Sequence, residues 1–78
     1  MPRPSVEAER REQILAAACD AVAEMGFKSL RIADVARRAG TSTGTVHYYF
    51  DTKTDLMRAA FEWNFTRSLD RRRHLLQE

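Results

Sequence analysis

Residues 32–50 read IADVARRAGTSTGTVHYYF, a pattern that predicts two short helices joined by a sharp turn. Ala36 is small enough to let the two helices approach closely, and Gly40 can adopt the positive φ that such a turn needs. Three larger apolar side chains are spaced to face inward: Val35, Val46 and Tyr49. Because they anchor the second helix by one side, its other side is left free to enter the major groove of DNA.

Size and composition exclude several classes of protein. With 78 residues the chain has room for one domain with a modest core, and its single cysteine, Cys19, excludes an intramolecular disulfide. We interpret Cys19 as a small buried apolar residue. No apolar run is long enough for a membrane span, and residues 1–10 are too polar for a signal peptide. We therefore expect a soluble, cytoplasmic protein that does not bind membranes.

Charge supports an interaction with nucleic acid without deciding it. The formal net charge is +2, and 31% of the residues are charged, which is close to the average for soluble domains. Four cations bracket the predicted motif: Arg31, Arg37, Arg38 and Lys53. The only acids in that segment are Asp34 and Asp51. Most charge clusters are simply solvated helix faces, so the position of these cations matters more than their number.

Hydrophobic periodicity and capping residues predict an all-α fold with four helices. The predicted ranges are 7–25, 31–39, 43–50 and, for the fourth helix, from the Thr52 cap to the end of the chain. Ser5, Ser42 and Thr52 are the expected N-caps, and Gly26 is expected to end the first helix. We expect Phe27 to fold back onto the core. The stripe that faces the core from helix 1 is predicted to contain Ile14, Leu15, Ala18, Val22 and Met25.

The fourth helix has a wide apolar arc of about 200°, calculated at 100° per residue. The arc contains Leu56, Met57, Ala60, Phe61, Trp63 and Phe65. A surface helix needs only about half that width to face a core. The excess predicts a second packing partner outside the first three helices, although single exposed aromatics at a helix end are the simpler alternative.

The sequence contains no pattern typical of an enzyme. His47 and His74 are the only histidines, and no serine or cysteine is spaced with a base and an orienting acid. One cysteine and two distant histidines do not form a zinc site. The three glycines are too scattered for a phosphate-binding loop. We therefore predict no catalytic residues, no metal and no cofactor.

Small or polar residues on the outer side of the third helix favour contact with DNA. Thr43 and Thr45 offer hydroxyls and methyl groups to bases, and glycine at position 44 permits close approach to the DNA. His47 and Tyr48 can donate to phosphate oxygens, and Lys53 lies at the positive end of the fourth helix. Taken singly, each has a simpler interpretation, such as Tyr48 in the core or His47 as an ordinary surface residue.

These residues together resemble the DNA-binding head of TetR-type transcriptional regulators. The resemblance covers about residues 9–65 and rests on three stretches: Ile14-Leu15 with Ala18 and Gly26-Phe27, then Ile32 to Ala36, then Gly40 to Phe50 followed by Lys53 and Leu56. It implies that the DNA-contacting residues are Arg31, Ser42, Thr43, Gly44, Thr45, His47, Tyr48 and Lys53. It also implies that the motif is held together by Val35, Ala36, Gly40, Val46, Tyr49 and Phe50.

The resemblance divides the chain into a flexible arm (1–6), a DNA-binding domain (7–66, with the helix-turn-helix at about 32–51) and the end of helix 4 (67–78). That last segment would connect to a regulatory domain absent from this chain, which forms the homodimer and binds a small-molecule inducer. Most such regulators repress transcription at palindromic operators in the bacterial nucleoid.

Two residues depart from the family pattern. Arg31 stands where Ser or Thr usually caps the second helix, and His47 replaces a frequent Tyr. An arginine side chain cannot accept a hydrogen bond as a cap does, but it can still reach a phosphate. An alternative function is a helical protein-interaction module that uses the aromatic fourth helix and has no role in DNA binding.

Overall fold

A computed structural model describes residues 6–76 and contains the four predicted helices. They are α1 (Val6–Met25), α2 (Ile32–Ala39), α3 (Thr43–Tyr49) and α4 (Lys53–Leu76). The residues described contain no strand, so the predicted all-α fold is confirmed. The bounds of the first three helices differ from the predicted ones by single residues. Val6, which we assigned to the N-terminal arm, is already helical, and the predicted cap Ser5 lies outside the described residues.

The core lies where α1 packs against both α2 and α4. Its buried side chains are Ile14, Leu15, Ala17, Ala18, Ala21, Leu30, Val35, Ala36, Val46, Phe50, Leu56, Met57 and Ala60. Three of them are alanines in the middle of α1, which lets two neighbouring helices approach it closely. Val22 and Met25, predicted to complete the stripe of α1, are only half-buried. This core is small and alanine-rich, as expected of a short chain.

Phe27 and Cys19 lie in less buried positions than predicted. Phe27 follows Gly26, which ends α1 at φ 80°, but its ring is 45% exposed and does not fold into the core. Cys19 is half-buried rather than buried, and its thiol donates to the carbonyl of Ala60 at 3.5 Å. Partial burial, aided by the Asp20 carboxylate, raises the pKa of this thiol, while Arg67 opposes the shift.

The turn between α2 and α3 has the geometry that the sequence predicts. Gly40 has φ 71°, a left-handed conformation that costs a residue with a Cβ about 1 kcal/mol or more. The N–H of Gly40 donates to the carbonyl of Arg37 at 3.2 Å, and the N–H of Thr41 donates to that of Ala36 at 2.9 Å. This pair of bonds is the Schellman arrangement, which ends α2 and redirects the chain into α3.

The first part of α4 packs against the other helices, whereas its outer side is exposed. Leu56, Met57 and Ala60 are buried against the other helices, as the arc predicted, and Trp63 is half-buried. Phe61, Phe65 and Leu69, spaced by four residues, are 51%, 65% and 42% exposed. The described residues therefore leave one side of the predicted arc uncovered. No helix within residues 6–76 has both the length and the apolar character needed to cross a membrane.

Candidate nucleic-acid interface

Helix α3 is held at its start by a side-chain cap and in its middle by one buried residue. The N–H of Thr45 donates to the Oγ of Ser42 at 3.1 Å, so Ser42 is the N-cap that we predicted. The hydroxyls of the same two residues lie 3.0 Å apart. Val46 is fully buried, and its carbonyl accepts from the N–H of Phe50 at 2.9 Å. A seven-residue helix is too short to be stable alone, so these contacts set its orientation.

The residues predicted to hold the motif together pack largely as expected. Val35, Ala36, Val46 and Phe50 are buried. Tyr49, which we expected to face inward, is only half-buried, and its ring is nearly perpendicular to that of Tyr48, with centroids 4.9 Å apart and planes at 88°. Tyr49 therefore supports its exposed neighbour as well as packing on the core.

The structure brings the predicted DNA-contacting residues of α3 onto one exposed surface. Thr43, Gly44, His47 and Tyr48 are exposed, and Thr45 is half-buried. Tyr48 is 71% exposed, which excludes the alternative that it belongs to the core. A Cβ added at Gly44 would lie 3.7 Å from the Oγ of Ser42, an ordinary contact. Nothing within the described part of the chain therefore requires glycine there.

Arg31 begins α2 and presents its side chain to solvent. Its backbone N–H donates to the Oδ2 of Asp34 at 3.0 Å, so the acid three residues later supplies the cap that an arginine side chain cannot. The second oxygen of Asp34 accepts from Arg37 at 3.3 Å. Asp34 is thus occupied within α2, and its charge is partly neutralised beside the exposed Arg31.

Lys53 has internal partners that the sequence did not reveal. Its ammonium group donates to the carbonyls of Phe27 at 2.7 Å and Leu30 at 2.8 Å, and lies 4.4 Å from the centroid of the Phe27 ring. An ammonium has three N–H donors, so two are used inside the protein and one remains. Lys53 therefore ties the start of α4 to the turn before α2, while its predicted phosphate contact stays a prediction.

The remaining cations near the motif differ in how far they are engaged. Arg38 pairs with Glu24 of α1 at 2.9 Å, and Arg37 pairs with Asp34. Of the four cations that bracket the motif, only Arg31 has a side chain without an ion pair to another described residue or a hydrogen bond to a carbonyl.

At the start of α4, the N–H of Asp55 donates to the Oγ1 of Thr52 at 3.0 Å, which confirms Thr52 as the cap of this helix.

The described residues contain no group of three or more metal-ligating side chains. The site consists of a capped, seven-residue helix with a polar outer surface and a left-handed glycine turn that joins it to the preceding helix. A fold and surface of this kind define a helix-turn-helix DNA-binding domain.

Comparison with known proteins identifies the family. Residues 14–60 match the family described as "Bacterial regulatory proteins, tetR family", and the chain belongs to that family. The match supports a DNA-binding function in transcriptional regulation, and the alternative of an interaction module without a DNA role is not favoured. The family is one of transcriptional regulators and not of enzymes.

Individual relatives agree with this assignment. The chain is 42% identical over 59 residues to the HTH-type transcriptional regulator BetI of Klebsiella pneumoniae (strain 342) and 41% identical to BetI of Escherichia coli (strain K12 / DH10B). Each match covers 76% of this chain and 30% of the relative. The fatty acid degradation regulator FadR from Bacillus halodurans superposes with a TM-score of 0.80 at 27% identity, covering 99% of this chain and 39% of that one. The chain thus spans about a third of the length of such regulators.

Proposed function

We propose that this domain reads a palindromic operator with α3 in the major groove, as the DNA-binding part of a ligand-responsive repressor. The observation that carries the proposal is the asymmetry of α3. Val46 holds one side in the core, while Thr43, Gly44, His47 and Tyr48 form an exposed surface free of bulky aliphatic side chains. Such a helix can approach base edges without displacing the domain.

The residues on this surface fall into two proposed groups. Thr43, Gly44 and Thr45 lie at the start of α3, where side chains of a recognition helix meet base edges. Threonine offers a hydroxyl and a thymine-compatible methyl group, and glycine leaves room for a base. We assign sequence preference to these three positions.

The second group contacts the sugar-phosphate backbone. We place His47 and Tyr48 there as neutral or charged donors, with the Ser42 hydroxyl at the edge of the helix. Arg31 is exposed beside the motif, and Lys53 keeps one N–H donor after binding two carbonyls. These contacts orient the domain on DNA and contribute salt-dependent affinity that does not depend on sequence.

We propose that this domain belongs to a longer regulator that dimerises and responds to a ligand. The relatives are about three times as long as the matched segment, so a regulatory domain that pairs two heads and binds an inducer fits in the remaining length. Pairing by two-fold symmetry would place two copies of α3 on the half-sites of a palindrome. The place of action we propose is the nucleoid in the bacterial cytoplasm.

Selection of duplexes from a random pool tests the proposal, with two copies of the chain joined by a flexible linker. We expect enrichment of two inverted half-sites about one or two helical turns apart. Titration of the single chain against random duplex at about 50 mM salt supplies the simpler check. At low salt, phosphate contacts alone should give measurable binding to DNA of any sequence. Absence of binding at high micromolar protein would contradict the proposed function.

A further inference from the structure

A groove separates the first turns of α1 from α3, on the side where the predicted DNA-contacting surface lies. It is open, has a volume of about 440 Å³, and receives Glu7 and Arg10 from α1. The α3 side is lined by residues that include Ser42, Gly44 and Tyr48. The two α1 residues belong to neither the predicted site nor the helix-turn-helix motif. The groove therefore extends the exposed surface of α3 onto a second helix.

Two adjacent arginines of α1 point into different surroundings. The guanidinium of Arg11 lies 5.2 Å from the centroid of the Phe50 ring, a packing contact on the side of α1 that faces α4. Arg10 lines the groove instead, is exposed, and forms no ion pair with another described residue. Its neighbour in the groove, Glu7, is three residues away and is also exposed without an ion pair in the described part of the chain.

We propose that this groove seats the sugar-phosphate backbone of the DNA and that Arg10 binds a phosphate there. The inference rests on the proposed placement of α3 in the major groove. When α3 lies in the major groove, a DNA strand that borders this groove must pass beside α3. On the side of α3 that faces α1, the open groove of the protein offers room for that strand. A guanidinium presents paired N–H donors that match two phosphate oxygens, and no acid among the described residues forms an ion pair with Arg10.

Glu7 acts in the opposite direction within the same groove. Its carboxylate lines the path assigned to a phosphate, and two like charges at close range repel each other. The same residue is in the first turn of α1, where the helix dipole favours an acid. Glu7 therefore stabilises the helix while lowering affinity for DNA, so neutralising it is expected to tighten binding.

Salt titration of DNA binding by the 78-residue chain tests the assignment, with fluorescence anisotropy on a labelled random duplex from about 50 to 200 mM salt. Each phosphate contact contributes about −0.9 to the slope of log affinity against log salt, which corresponds to roughly 8-fold in affinity near 0.1 M. We expect Arg10→Gln to lose about that much affinity and to make the slope shallower by about 0.9. Arg72→Gln makes the same charge change in the exposed C-terminal part of α4 and is the matched control. We expect it to change the affinity by less than about 2-fold and to leave the slope unchanged.

Glu7→Gln provides a test of opposite sign. We expect tighter binding by a few-fold with a slightly lower melting temperature, whereas damage to the fold would weaken binding. If Arg10→Gln matches Arg72→Gln, or weakens binding without changing the slope, the groove does not hold a phosphate and the inference is wrong. In that case, retained binding by the wild-type chain and a loss in Tyr48→Ala leave the proposed function standing. Failure of the wild-type chain to bind any duplex overturns both.

Discussion

Replacing Lys53 with methionine should both destabilise the domain and weaken its binding to DNA. The substitution keeps an unbranched side chain that reaches as far as Cε but removes the ammonium that binds the carbonyls of Phe27 and Leu30 at 2.7 and 2.8 Å. Each hydrogen bond from a charged donor contributes ~1.5–3 kcal/mol when shielded from water. Lys53 is only half-buried, so we take about 0.75 kcal/mol for each bond after solvent screening.

The contact with the Phe27 ring at 4.4 Å adds about 0.5 kcal/mol, which brings the expected loss in unfolding free energy to about 2 kcal/mol. Unfolding entropy is about 2.1 cal/mol/K per residue, or about 160 cal/mol/K for 78 residues. Dividing the two gives a drop of roughly 12 °C in melting temperature. Circular dichroism at 222 nm measures this drop in melting temperature. Lys28→Met is the control, because Lys28 is exposed in the turn between α1 and α2.

The DNA-binding effect of Lys53→Met is measured well below its melting temperature, so that the chain remains folded. If the third N–H of Lys53 donates to a phosphate, affinity falls for all duplexes alike and the salt slope becomes shallower by about 0.9. An unchanged slope would refute the phosphate contact. A melting temperature within 2 °C of wild type would refute the inference that Lys53 holds the turn before α2.

Four further substitutions or treatments test other parts of the structure. Gly40→Ala is expected to lower the unfolding free energy by ~1–2 kcal/mol, because φ is 71° there, and chemical denaturation measures the loss. Gly44→Ala is expected to raise stability by about 0.5–1 kcal/mol, because alanine favours a helix, yet to weaken specific DNA binding in a gel-shift titration. Tyr48→Ala is expected to weaken binding while changing the melting temperature little, since the ring is 71% exposed. The thiol of Cys19 is expected to react slowly with iodoacetamide at pH 8, because burial raises its pKa and so lowers the thiolate fraction; its rate should rise at higher pH than that of free cysteine.

Each of these expectations has a result that contradicts it. Equal stability of the Gly40 variant would mean that the turn relaxes without the left-handed conformation. Unchanged operator affinity of the Gly44 variant would remove the close approach from the proposed interface. A large loss of stability in the Tyr48 variant would show that its contact with Tyr49 supports the fold, and reaction of Cys19 at the rate of free cysteine would contradict its partial burial.

The exposed stripe on α4 lies on the side of the helix for which the sequence predicts a second packing partner. Phe61, Phe65 and Leu69 lie on one side of the helix, away from the buried Leu56 and Met57. The sequence predicts a second packing partner from the width of the apolar arc, and the structure leaves that side of the arc exposed. A packing partner for this side therefore stays a prediction.

Local sequence was sufficient to predict the helices and the turn of the motif. The φ of Gly40, the caps Ser42 and Thr52 and the burial of Val46 depend on residues within a few positions of each other, and they agree with the structure. Steric and hydrogen-bonding preferences of this kind act over one helical turn. The composition of the exposed side of α3 follows from the same periodicity.

Long-range packing settled the features that periodicity alone left open. Lys53 binds carbonyls 26 and 23 residues earlier in the chain. Arg10 and Arg11 are adjacent, yet Arg10 lines the groove beside α3 and Arg11 lies against the Phe50 ring. Which groove a side chain enters depends on how the helices cross, and the crossing is set by the packing of the alanine-rich α1 against α2 and α4. Residue spacing along one helix carries no information about that geometry. The motif that holds DNA could therefore be predicted from residues 32–50, whereas the groove beside α3 and the partners of Lys53 emerge only when the helices pack together.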